Sequence, residues 1–533
     1  MKEQPLLKAI TFLVCGLSFM QVHAEEALSK LVVQISDNST LQPTEARVRI
    51  THLNGELADV PEVGIGVMYG RNDVAEGYAF QPDGAFYVDG GFEMEMAPGD
   101  YRMTVSKGFE YLPRTIDFSL SPGGNRTQEV ALERWINMPE RGWYSADDHI
   151  HIRRSPRENP YILKWIAAED IHVGAMLRMG DFWATYYEQY AFGEAGLFEE
   201  GDRVLTPGQE EPRTHEIGHT ISLGADEAVR FQRQYYYYDR VFDRVHALNG
   251  LTGYAHQGMT FHGYRGMTMD VLRNKVDFLE LLQFCTPNGP IHTNHYYFFL
   301  DLGFRLTAAA GSDFPWCGRW PNPEAGVTQR FAQIGNARFY THVGDDFSFE
   351  KWKANFKAGH TFVSSGPMLD LRVNGALPGD TVEVSKGETL RITAKAFGQA
   401  GKVPLRKLEL VAHSKVLKSV SVEDDGQSKD ELSIEWEIQA SEGFWIAAHC
   451  DAGPMQFAHT TPVYISVDGS GFHNPETASA NLDQCEQYLK EIEEEIAEPD
   501  DRMNYYAWRY KEGLEKRISD TRKVIRKLRT QLE

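Results

Sequence analysis

Three observations in the 533-residue sequence predict an α/β protein: a central α/β barrel between two small β-sandwiches, closed by a C-terminal helical hairpin. Residues 30–139 and 365–470 carry two-residue apolar alternation broken by turn signals, the pattern of antiparallel strands. Residues 140–364 alternate short apolar runs with helical stretches, as strand–helix units around a largely parallel sheet do. Beyond Gly469-Ser470-Gly471 the apolar residues step by three and four.

The elements follow in chain order. Lys2 and Lys8 precede the apolar run Ala9–Met20, and Val22-His23-Ala24 offers a small-residue cleavage site before Glu25. Residues 1–24 thus read as a secretory signal peptide, with the mature chain periplasmic or secreted. The run is shorter than the roughly 20 residues a spanning helix needs, and no later stretch predicts a membrane span. Four cysteines would remain, Cys285, Cys317, Cys450 and Cys485, and their pairing cannot be chosen from spacing. In the first sandwich Phe92, Met94 and Met96 alternate, Pro98-Gly99-Asp100 turns the chain, and Tyr101, Met103 and Val105 follow. Strands are expected in the middle region at 145–152, 173–179, 219–223, 251–256, 278–283 and 306–313. Helices are expected at 159–170, 235–248 and 296–302. Residues 390–396 and 432–438 alternate in the second sandwich. The last region, 477–533, divides at Glu498-Pro499 into an acidic and a basic helix. Folded back on each other they would pair opposite charges, either closing the protein or joining subunits of a homo-oligomer.

Composition narrows the function. A formal charge of −22 argues against a nucleic-acid partner, which requires a basic footprint. Ten of the 18 histidines fall between His149 and His295, which directs attention to the central unit. In Asp147-Asp148-His149-Ile150-His151, residues two apart on a strand face the same way, so two imidazoles would share one strand end. Further candidates recur at later strand ends or the loops after them: Glu210, His219, His256 and Asp313. Several polar groups buried together without a shared partner would be costly, so a metal site is the favoured reading. Glu211 and Glu216 leave the choice of carboxylate open, and His215 lies beside them. Glu280 is a candidate ligand or a support for one. His262 and Arg265 are candidates to contact an anionic substrate. His172 and His246 read as structural, and His342, His413 and His449 fall outside the constellation. Ser312 lacks the glycine pattern of a nucleophile elbow, and Cys317 has no evident base.

Taken together, His149-x-His151, Gly-x-Glu210, Gly-His219, Ala-His256 and Gly-Ser-Asp313 resemble the PHP (polymerase and histidinol phosphatase) superfamily, and more narrowly its CehA/McbA-type metallohydrolases. The likeness covers about residues 140–380, with support from Gly142-Trp143-Tyr144-Ser145 and from Gly359-His360-Thr361-Phe362-Val363. It implies a distorted, seven-stranded barrel with His149, His151, Glu210, His219, His256 and Asp313 as ligands of divalent ions, zinc or manganese. Two positions depart from the pattern: Pro315 stands where many relatives carry a histidine, and Gly180-Asp181-Phe182 replaces an Asp-His pair. One or two ions are therefore expected rather than three, with His292 or His295 as substitutes for a missing ligand. The expected activity is exported, metal-dependent hydrolysis of an ester, carbamate or phosphoester in a small-molecule substrate, with His256 or a carboxylate such as Asp313 moving the proton. A catalytically degenerate protein that binds a glycan or peptide is the alternative.

Overall fold

The computed structural model describes residues 27–68, 77–81, 83–256, 262–283, 291–315, 333–422, 430–497 and 511–532. The expected signal peptide, Cys285 and Cys317 lie outside them.

The alternation of the first region folds into two facing sheets. Ser29–Asp37 pairs antiparallel with Gly91–Met96 and parallel with Asn125–Leu132. The opposing sheet orders Phe86–Asp89, Glu45–His52, Gly99–Ser106 and Arg114–Leu120. Every second residue of Ser29–Asp37 is buried, which sends Leu31, Val33 and Ile35 into a core with Val48, Ile50, Met94, Met103 and Val105. These apolar faces shed their water against each other.

The middle region is neither the alternating α/β barrel that its periodicity predicts nor the distorted (β/α)7 barrel that the resemblance implies. Its strands belong to a mixed 17-stranded sheet. Trp143–Ile150, Val173–Gly180 and Arg203–Thr214 run parallel, as do Leu251–Tyr254, Phe278–Leu282 and Thr307–Ala310. Between these two sets the chain turns back without a helix. Arg203–Thr214 pairs antiparallel with Gly218–Leu223, and that strand pairs antiparallel with Leu251–Tyr254. Arg338–His342 is antiparallel to both Trp143–Ile150 and Thr361–Ser364. The reason is local: a connection from Thr214 to Gly218 is long enough for a hairpin and far too short for the crossover that a parallel pair requires.

The sheet does not stop at the expected boundary near residue 364. Thr361–Ser364 pairs with Phe457–Thr460, so the central sheet runs on into the second sandwich. Met368–Val373, Thr389–Phe397 and Glu431–Gln439 make that sandwich's other face.

The last two helices, Ala478–Ala497 and Lys511–Leu532, lie against their own chain. Leu482, Cys485, Leu489, Ile492, Leu514, Ile518 and Ile525 share one core with Met267, Phe278, Leu300 and Ala309 of the middle region. The apolar stripe considered for joining subunits is thus buried within the molecule. Cys450 and Cys485 are buried free thiols. Among the described residues no helix is long and apolar enough to cross a membrane.

Candidate metal centre

His149 is the penultimate residue of the strand Trp143–Ile150, which is buried on both faces, and His151 follows just past its end. His149 Nδ1 lies 2.9 Å from Glu280 Oε1, and His151 Nδ1 lies 3.1 Å from the carbonyl oxygen of Leu177. A carbonyl and a carboxylate only accept, so each Nδ1 donates and each Nε2 is left with a lone pair. Those two Nε2 atoms stand 3.1 Å apart. Two lone pairs facing at that distance repel unless a cation or a proton lies between them. The electrostatics agree. Burial opposes a charge on His149, yet Asp313 and Glu280 outweigh it and hold the imidazole well above its ordinary pKa. His151 is raised in the same way, by Asp313 and Glu210 against burial.

The remaining candidates close around the pair. Glu210 Oε2 is 3.3 Å from His151 Nε2 and 3.8 Å from His149 Nε2. Its other oxygen accepts from His219 Nδ1 at 2.7 Å and lies 3.5 Å from His256 Nε2. Asp313 Oδ1 sits 3.3 Å from His151 Nε2 and 3.4 Å from His149 Nε2. Three overlapping trios, His149–His151–Glu210, His149–His256–Asp313 and Glu210–His219–His256, each bring their ligand atoms within 4.8 Å of one another. Imidazole nitrogens and carboxylate oxygens in this ratio are a donor set for zinc, manganese or iron. Burial would raise the Glu210 carboxyl, but Arg213 and His219 overcome it and hold the group well below the usual carboxylate range. Burial, then Arg213, pushes His219 down to about 3, so it stays neutral and able to ligate.

A supporting layer fixes these side chains. Asp147, two residues before His149, turns away from the cluster: its Oδ1 accepts from the backbone N–H of His149 at 3.1 Å and of Ser312 at 3.0 Å. Its Oδ2 accepts from Gly335 N–H at 2.8 Å. One carboxylate therefore ties the His149 strand to the Ser312-Asp313 turn. Glu280 bridges as well, since its second oxygen accepts the backbone N–H of His256 at 2.5 Å. Gly311 packs directly on His149 and Asp148, leaving no room for a Cβ. His256 and Asp313 both hold positive φ, 33° and 52°, a strained backbone region that non-glycine residues occupy mainly at functional positions.

All six predicted ligand residues meet here. Glu211 is instead enclosed by Arg178 and Arg230, and Glu216 accepts from the Tyr236 hydroxyl, so Glu210 alone of the three carboxylates faces the histidines. Asp181, at the departure from the Asp-His pattern, caps the backbone of Trp183 and Ala184. Arg265 pairs with Glu491 and Glu495 of the helix Ala478–Ala497 and not with the cluster. His295 stacks on Tyr264, and neither it nor His292 joins the three trios. His262 packs edge-on against His215, with ring centroids 5.3 Å apart. Sequence reading missed the strand Arg203–Thr214 that carries Glu210, although Val204, Leu205 and Thr206 supplied a β-prone start before Pro207. It also missed Arg213, whose Nε lies 3.4 Å from Glu210 Oε2.

No family model matches the chain, and no curated protein matches it. One solved structure, the Bacillus anthracis TIE protein, aligns over 84% of this chain and 51% of its own at 6% identity, with a TM-score of 0.13. The chain spans about half the length of that protein, and a similarity at this level carries no argument about fold or function.

Proposed function

We propose that this chain is an exported, metal-dependent hydrolase acting on an ester, carbamate or phosphoester bond of a small molecule. The observation that supports it most strongly is the pair of buried imidazoles whose Nε2 atoms face each other at 3.1 Å inside a ring of carboxylates. One or two divalent ions held by His149, His151, Glu210, His219, His256 and Asp313 would supply a Lewis acid and make a coordinated water acidic near neutral pH. The protein's own part is orientation and proton transfer. Glu280 and the Leu177 carbonyl hold the two tautomers, which keeps both Nε2 atoms available. His256 Nε2 and the Asp313 carboxylate, the most exposed of the six side chains at 12%, would move a proton between attacking water and leaving group. Export rests on the N-terminal leader of the sequence.

The test is elemental analysis of purified protein beside a panel of chromogenic esters, carbamates and phosphoesters with zinc or manganese supplied. The wild type should carry near-stoichiometric metal and turn over at least one class, and the His149→Ala, His151→Ala double variant should lose both. Saturable ligand binding without any turnover would instead make it a binding protein.

A further inference from the structure

Three arginines of the middle region are held by carboxylates outside the candidate ligand set. Arg178 and Arg230 share Glu211, and Arg265 is held by Glu491 and Glu495. Arg213 differs. Its only ion pair among the described residues is the 3.4 Å approach of Nε to Glu210, and that buried Nε makes no hydrogen bond. Its two terminal amino groups likewise make none among the described residues. A register shift between Glu210 and Arg213, where the strand pairs with Gly218–Leu223, brings both side chains to the same side. The backbone there is pinned: the Tyr235 hydroxyl accepts from Arg213 N–H at 3.1 Å and donates to the Gly180 carbonyl at 2.7 Å.

Exposure orders the site by depth. The side chains of His149 and His151 are fully buried, that of Asp313 is 12% exposed, and that of Arg213 is 24% exposed. Arg213 is therefore the most exposed of these side chains, and its Nε lies 3.4 Å from the candidate ligand Glu210. A guanidinium fork matches two oxygens of a carboxylate, sulfate or phosphate group, and it is worth most where water is partly excluded.

We infer that Arg213 recognises an anionic oxygen group placed beside the scissile bond, so that the site selects negatively charged substrates over neutral ones. This rests on the hydrolase reading of the same centre. It also replaces Arg265, the arginine that the sequence alone offers for this role.

The probe is inorganic phosphate, titrated calorimetrically into zinc-loaded wild type, Arg213→Gln and Arg213→Lys. At matched zinc occupancy, Arg213→Gln should lose about 10-fold or more in phosphate affinity, the size expected for a charge-assisted pair. Arg213→Lys should recover part of that loss. Turnover of 4-nitrophenyl phosphate should fall far more than that of 4-nitrophenyl acetate. Equal phosphate affinity in zinc-matched wild type and Arg213→Gln would overturn the inference, and so would failure of the wild type to bind phosphate. If no substrate is turned over while phosphate affinity still depends on Arg213, the recognition role stands and the hydrolase reading falls.

Discussion

Asp147 shows how much of a site can depend on a residue that never faces its ligands. It is fully buried and accepts three backbone N–H groups, from His149, Ser312 and Gly335, which join segments more than 160 positions apart. Replacing it with alanine strands three buried donors, each worth about 1–3 kcal/mol when left unpaired. Asp147→Ala should therefore lower stability by about 3 kcal/mol or more by urea unfolding. Because the Asp313 turn is released with it, zinc affinity should drop about 10- to 100-fold, as for other residues that support a metal ligand. Unchanged zinc affinity in a folded Asp147→Ala protein would show that the turn holds without it.

Among the elements, the C-terminal hairpin has the clearest role. Arg517 of the last helix is 1% exposed and reaches both oxygens of Asp270, at 2.9 Å and 2.7 Å. Asp270 also accepts the Tyr254 hydroxyl at 2.8 Å, and Tyr254 ends the strand that leads to His256. The helix therefore docks onto the segment that delivers one of the candidate ligands. Arg522 and Arg529 bind Glu486, Glu493 and Asp483 of the preceding helix, joining the basic and acidic partners. These outer pairs are partly exposed and contribute little, whereas the buried pair contributes much when broken. Arg517→Met should cost about 3–5 kcal/mol, because Asp270 is left buried without its main cation. Arg517→Met with Asp270→Asn should regain a substantial part, and a double variant no more stable than the single would refute the assignment.

Across the whole molecule, a buried polar junction welds three units together. Arg134 of the first sandwich binds Glu110 and reaches Asp170 at the end of a middle-region helix. Lys402 of the second sandwich donates to the carbonyls of Gly108 and Phe109, each at 2.8 Å, and of Tyr111. His172 lies in the same junction, where its Nδ1 accepts the backbone N–H of Ser145 at 3.2 Å. Burial, then Arg203, pushes it down to about 3. The folded state thus refuses a proton that the unfolded chain accepts near pH 6.5. The stability from His172 is complete above about pH 6.5 and is lost toward pH 3, at up to about 1.4 kcal/mol per pH unit. Glu110, pushed up to about 7 by burial and Asp170, acts in the opposite direction between its ordinary 4.5 and 7. The comparison must therefore be made with His172→Gln. Between pH 6.5 and 4.5 the wild-type melting temperature should fall more steeply than the variant's, and parallel curves would remove His172 from the acid response.

What could be read without coordinates was local. Alternation at Phe92, Met94 and Met96, or at Leu390, Ile392, Ala394 and Ala396, reports which face of a strand is buried, because side chains two apart share a face. The same rule marks His149 and His151 as one strand-end pair, and residue chemistry marks the six candidates for a metal. Tertiary structure alone decided the rest. It set the direction of strand pairing, which short apolar runs do not encode, and so replaced an alternating barrel with a mixed sheet. It chose Glu210 over Glu211 and Glu216, and it turned Arg265 toward a helix while setting Arg213 beside Glu210. The physical reason is separation along the chain. His149 meets Glu280 across 131 positions, and no local period carries information about which charge another segment will bring.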